Sequence, residues 1–276
     1  MGERPGDARP IGVFDSGVGG LTVLSELHRR LPAETTVYLG DNARTPYGPR
    51  PADEVRRFTA EGVGWLLEQD IKLLVLACNT ATARALPLVR ELSPVPVLGV
   101  VRPGAVSAAA SSRVGHVGVI ATVGTVESGA YPAALLEADA RLSVTQQACP
   151  ELVPLVEVGR LDDLETEAAV RDYLGQLRSN DPLIDTLLLG CTHYPLLRPI
   201  IEREVGERVA VVDSAFTTAL ATEDLLDALG SRAPGDGPPP RHRVATTGDV
   251  AAFSGVARRL FGEALPDVEA ATLGPV

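Results

Sequence analysis

The chain has 276 residues, of which 45% are hydrophobic and only 4% aromatic, and its formal net charge is −11. That length suits two domains, each with a core of Ala, Val and Leu, as in parallel sheets covered by helices on both faces. The acidic balance, without any run of lysine or arginine, argues against a nucleic-acid or anionic-membrane surface, and no stretch approaches the roughly 18 apolar residues of a membrane span.

Three cysteines are too few for a disulfide framework, and the odd number points to free thiols in a reducing compartment. Met1 to Pro10 is polar and lacks the apolar segment of a secretory signal, so a cytoplasmic protein with a disordered tail is expected. Ile11 to Phe14 then reads as the first strand, Asp15-Ser16-Gly17-Val18-Gly19-Gly20 as a turn, and about Leu21 to Leu31 as a helix stopped by Pro32. Asp15 suits an N-cap. The turn also lies at a strand's carboxyl end, where open parallel sheets bind ligands, so an ionised Asp15 is a candidate for holding a substrate ammonium or steering a proton.

Thr36 to Leu39 is a second strand, and the Pro46-Tyr47-Gly48 turn beyond it falls at the same rim. There the backbone N–H groups of Tyr47 and Gly48 can bind a carboxylate. A helix from about Pro51 to Gln69 leads into the strand Leu73 to Ala77. Cys78 follows, with Asn79 and Thr80 as capping groups of a helix from Ala81 to Leu92. After the strand Pro94 to Gly99, the chain crosses to a second half near Val100 to Gly104.

That half opens on Val117 to Ala121, with Thr122 and Thr125 at the rim, and Val117-Gly118-Val119-Ile120 repeats the pattern of Ile11-Gly12-Val13-Phe14. Cys149 falls in a polar connection and reads as a bystander, while Glu157 ends an apolar run that can lie near Cys191. An acidic helix from Leu161 to Leu177 precedes Leu187-Leu188-Leu189, a strand too short to be a helix, and then Gly190-Cys191-Thr192-His193-Tyr194-Pro195. Gly190 permits a sharp turn, Thr192 suits a helix cap and Pro195 a first turn. A thiol so placed, and Cys78 in its matching arrangement, faces the positive end of a helix dipole, which favours thiolate. Val209 to Val212 is a further strand, Asp213-Ser214 caps a helix to about Leu229, and Arg232 to Arg243 is an exposed loop. The strand and helix from Arg243 to Gly262 return to the first half. The expected fold class is α/β, with two pseudo-symmetric parallel-sheet domains facing a shared active-site cleft. The first comprises residues 1–100 plus 213–276 and carries Cys78, and the second comprises residues 101–212 and carries Cys191.

Cys78, Cys191 and His193 offer three soft donors, but their spacing is unlike that of zinc sites and no metal is expected. Lys72, the single lysine, stands at the far end of its strand from Cys78, where it cannot serve a pyridoxal cofactor. There is no P-loop, and Gly17-Val18-Gly19-Gly20 lacks dinucleotide spacing, so no organic cofactor is expected. A hydrolytic Cys-His enzyme would need only one cysteine. Both are used in a two-base proton transfer, in which one thiolate removes a Cα proton and the opposite thiol delivers one to the other face.

Asp15-Ser16-Gly17, Pro46-Tyr47-Gly48, Cys78-Asn79-Thr80 and Gly190-Cys191-Thr192-His193-Tyr194-Pro195 together resemble the motif set of glutamate racemases, in the cofactor-independent aspartate/glutamate racemase superfamily. Thr246-Thr247-Gly248-Asp249 and Phe253 resemble that family's C-terminal segment. The resemblance implies that Cys78 is the base for D-glutamate, assisted by Asp15, and that Cys191 is the base for L-glutamate, with Glu157 and His193 on its side. It implies that Ser16, Tyr47, Gly48, Asn79, Thr80 and Thr192 hold the substrate, with Asp41, Thr122 and Thr125 contributing. It also implies a homodimer and a product, D-glutamate, that enters peptidoglycan. An aspartate racemase is the nearest alternative, and a non-enzymatic binding protein would leave the paired cysteines unexplained.

Overall fold

The computed structural model describes residues 6–235, 237, 239–262 and 267–274. Its first sheet contains β1 (Ile11–Asp15), β2 (Thr36–Gly40), β3 (Leu73–Leu76) and β4 (Val97–Gly99). The second contains β5 (His116–Ala121), β6 (Ser143–Ala148), β7 (Thr186–Gly190) and β8 (Ala210–Asp213). The chain then returns to the first sheet with β9 (His242–Thr246) and β10 (Val268–Ala270). The strand orders are β10-β9-β2-β1-β3-β4 and β6-β5-β7-β8, and every pairing is parallel. The order β2-β1-β3-β4 recurs as β6-β5-β7-β8, so the expected duplication is present at the level of topology.

Central strands here are apolar throughout because both faces are covered. Ile11 and Val13 of β1 pack into one core and Phe14 into another on the opposite face, while Leu187 and Leu189 of β7 face away from Leu188. Helix Ser214–Leu229 packs against Leu21–Arg30 of the first half and also against Val101–Ser111 of the second.

Several elements lie outside the sequence expectation. Helices Val123–Ser128 and Ala130–Ala138 and edge strands β6 and β10 were not expected. Their half-exposed, Ala-rich or Gln-containing sequences carry neither clean period. Strand β6 corrects the placement of Cys149, which is fully buried immediately after a strand end, with its N–H bonded to Ala121 O at 2.9 Å. It occupies the second half's counterpart of Asp41, since Asp15 pairs with Gly40 as Ala121 pairs with Ala148. Residues 1–5 of the expected disordered tail lie outside the described residues, but from Asp7 the chain is anchored. Asp7 N donates to Arg232 O, and the buried Lys72 Nζ donates to Asp7 O and Ser231 O and pairs with Glu34.

At the opposite end of the first sheet from the cleft, His28 Nε2 and His242 Nδ1 lie 2.9 and 3.0 Å from the Thr36 hydroxyl, with their rings 3.8 Å apart. Burial, then the neighbouring imidazole, pushes His28 down to about 4, and burial lowers His242 as well. Both lie below the ordinary value of 6.5, so the unfolded chain takes up protons first as pH falls. The stability this pair retains at neutral pH is therefore lost between about 6.5 and about 4. The urea midpoint should drop across that window in the wild type and drop less in His28→Gln. An equal drop in both proteins would remove the pair as its source.

Candidate active site

Strands β1, β2, β3, β5 and β7 all end at one cleft between the two halves, as parallel topology requires. Ser16, Tyr47, Gly48, Cys78, Asn79 and Thr80 line it from the first half, and Thr122, Cys191, Thr192 and His193 from the second. The expected residues Asp15, Asp41, Thr125 and Glu157 are not on its walls and stand behind those that are. Thr45, Val123, Pro150, Val153 and Pro154 also line it. Thr45 could have been found from its place before Pro46. The other four carry no local polar signal.

Cys78 leaves β3 through Ala77, whose N–H donates to Phe14 O at 2.8 Å. It is itself the N-cap of helix Asn79–Leu92, its sulfur accepting from Ala81 N at 3.4 Å. This corrects the expected assignment of the cap to Asn79 and Thr80, which form the helix's first turn instead. Ser16 Oγ lies 3.4 Å from Cys78 Sγ. Burial, then the negative charge of Asp15, pushes the Cys78 thiol up to about 12, against the smaller opposing effects of Ser16 and Ala81 N–H. The helix-dipole expectation is therefore reversed at this cysteine, and Cys78 rests as a thiol. Asp15 is fully buried, which raises its own carboxyl above the usual range. Its Oδ2 accepts from Gly17 N at 2.9 Å, and its Oδ1 has no partner among the described residues.

Cys191 sits differently. The segment after it is a short 3-10 turn, Tyr194–Leu197, without a side-chain cap, so Thr192 does not cap a helix there. His193 Nδ1 lies 3.8 Å from Cys191 Sγ, and His193 Nε2 lies 3.2 Å from Glu157 Oε1. Burial disfavours the His193 imidazolium, but its hydrogen bonds and charge interactions with Cys191 and Glu157 outweigh this and lift it to about 10. A protonated His193 can donate from both ring nitrogens at once, to sulfur and to carboxylate. Gly19 permits this fit, because a Cβ there would lie 2.5 Å from the His193 ring.

Two matched strand exits thus carry different partners. Asp15 ends β1 where Ala121 ends β5, and Thr80 stands two residues beyond Cys78 where His193 stands two beyond Cys191. One thiol has a carboxyl group behind it and the other an imidazole.

Hydroxyls and amides join the halves. Thr80 Oγ1 lies 2.9 Å from Thr122 Oγ1 and 3.3 Å from Thr125 Oγ1, and Asn79 Nδ2 donates to Tyr131 OH at 2.6 Å. Asn79 Oδ1 is buried without a partner among the described residues. Tyr131 escaped sequence analysis because it lies in an Ala-rich helix and resembles core. Gly48 O accepts from Gly124 N at 2.8 Å. The Tyr47 ring is buried with its hydroxyl donating to Asp41, so only its main chain and that of Gly48 remain for a ligand carboxylate. Asp41 also accepts from Arg44 Nε at 2.7 Å and from Thr247 Oγ1 at 2.6 Å, and those donors occupy the carboxylate expected to reach substrate. Among the described residues no group of three or more His, Cys, Asp and Glu is arranged to hold a metal, and no helix is long and apolar enough to cross a membrane.

Paired parallel α/β halves with a cleft at their strand exits that holds a thiol from each half define an α/β enzyme whose candidate active site is that cleft. The model of the Asp/Glu/hydantoin racemase family matches residues 11–222, and the chain belongs to this family of isomerases. It is 49% identical over 255 residues to the glutamate racemase of Oceanobacillus iheyensis, covering 92% of each chain. It superposes on the crystal structure of a Bacillus anthracis glutamate racemase with a TM-score of 0.89 and 44% identity, over 95% of this chain and 96% of that one. The Francisella tularensis glutamate racemase, solved in complex with D-glutamate, gives a TM-score of 0.88 at 30% identity, over 96% and 98% of the two chains.

Proposed function

We propose that the protein is a cofactor-independent glutamate racemase that inverts Cα by proton transfer between two cysteines. The observation that carries this reading is the presence of Cys78 and Cys191 at matched strand exits on the two halves of one cavity. Glutamate is favoured by the relatives, which carry that name at high identity over nearly the whole chain.

With His193 as imidazolium, its Nδ1–H faces the Cys191 sulfur at 3.8 Å, while Cys78 holds its proton. These protonation states suit the L-to-D direction. The Cys191 thiolate takes the Cα proton of L-glutamate and becomes a thiol. The Cys78 thiol then gives its proton to the opposite face, yields D-glutamate and becomes a thiolate. Both must then return to their first states before the same direction repeats, or the pair runs D-to-L. Asp15 assists at Cys78, and Glu157 holds the His193 ring. Tyr47 and Gly48 N–H groups bind one substrate carboxylate, Ser16, Asn79, Thr80 and Thr192 supply further polar contacts, and the orphan Asn79 Oδ1 suits the ammonium. Thr122 and Thr125 act through their bonds to Thr80.

The two sheets support a division into one domain of residues 1–100 plus 213–276 and a second of 101–212. Family resemblance supports a homodimer and a role for D-glutamate in peptidoglycan, and the free thiols support a cytoplasmic setting.

The test uses purified protein without added cofactor and L-glutamate in D₂O, following optical rotation and deuterium at Cα, beside L-aspartate. Rotation should decay to zero with glutamate as deuterium enters the D-product. Faster decay with aspartate would transfer the reading to that substrate. Neither inversion nor exchange with either amino acid would overturn it.

A further inference from the structure

The Thr246-Thr247-Gly248-Asp249 segment lies far along the chain from the cleft and has no part in the chemistry above, yet it touches the loop that carries Tyr47 and Gly48. Thr247 Oγ1 accepts from Ala43 N at 3.1 Å and donates to Asp41 at 2.6 Å. Thr247 N donates to Gly40 O at 3.1 Å. One hydroxyl therefore holds the loop both by its main chain and through its central carboxylate. Asp41 passes the restraint on, since it also accepts from Arg44 Nε and Tyr47 OH. Beside it, Gly248 approaches Asn42 so closely that a Cβ would lie 2.9 Å from the Asn42 Cβ, which leaves no room for the loop to shift toward β9.

We infer that Thr247 is a positioning residue for substrate binding: through Ala43 N–H and Asp41 it fixes the Asp41–Gly48 loop so that Tyr47 and Gly48 present their N–H groups to a substrate carboxylate. This rests on glutamate binding in the paired-cysteine cleft. Thr247 touches neither cysteine, so its loss acts on binding and leaves proton transfer intact. A pre-set nest binds without the entropy of ordering a loop, and releasing the loop returns that entropy to the free protein.

Thr247→Val preserves shape and removes the hydroxyl. The expected result is a KM for L-glutamate raised about three- to ten-fold, a kcat within about two-fold of wild type, and recovery of KM in Thr247→Ser, the range corresponding to one or two net hydrogen bonds. The Kd for D-glutamate by calorimetry should rise by the same factor. An unchanged KM, or a loss confined to kcat, would overturn the inference. So would failure of serine to restore KM. Should the valine variant not fold, amide exchange in the wild type decides, because the Ala43 amide should be strongly protected and an unprotected rate would exclude the clamp. A wild type without racemase activity would instead overturn the proposed function, while leaving the exchange result standing on its own.

Discussion

Cys78→Ala and Cys191→Ala should each lose glutamate racemisation by at least about a thousand-fold in kcat, while binding D-glutamate within a few-fold of wild type. Alanine leaves the cavity wall nearly in place and removes only the proton carrier. Inversion needs a donor on the face opposite the base, so a single remaining thiol can do no more than return a proton to the face it came from. Optical rotation of L-glutamate should therefore stay flat in either variant. Racemisation within ten-fold of wild type in either one would sink the two-thiol mechanism, because a single-base route would then suffice.

His193→Asn should lower kcat/KM by about a hundred-fold, in the range for loss of a group that assists proton transfer. The two enantiomers have equal free energy in water, so kcat/KM must fall by the same factor in both directions, and the fall alone cannot show which cysteine His193 serves. Isotope effects can. With His193 3.8 Å from Cys191 Sγ, removing it slows proton removal from L-glutamate in particular. The primary effect with α-deuterated L-glutamate should rise toward its intrinsic value, while that with α-deuterated D-glutamate falls. Equal effects from both enantiomers would detach His193 from Cys191.

These expectations depend on a site only partly legible in the chain. Both cysteines, the strands that deliver them and the polar residues beside them were readable because each is a local pattern: a short apolar run, a small residue, a thiol, then capping groups. The duplicated halves were legible for the same reason, since β1 and β5 share a pattern over consecutive residues. Cys149 was misplaced because an edge strand with the sequence Ser143–Ala148 alternates too weakly to announce itself. Asp41 was drawn toward substrate because nothing near it in sequence reveals that Thr247 occupies its carboxylate.

The sequence by itself determined the α/β class, the place of Cys78 and Cys191 at strand exits, and the place of the Pro46-Tyr47-Gly48 turn at the same rim, all of which follow from neighbours within a turn or a strand. The family resemblance implied Asp15 behind Cys78 and Glu157 with His193 behind Cys191, but only the tertiary structure supplies the contacts. Glu157 reaches His193 across 36 positions and Thr247 reaches Asp41 across 206, separations at which local spacing carries no information. Burial was decided there too. A helix N-terminus favours thiolate by a modest dipole interaction, whereas enclosing Cys78 beside the Asp15 carboxylate penalises its charge more, so the fold reverses at that cysteine the protonation that sequence alone predicts.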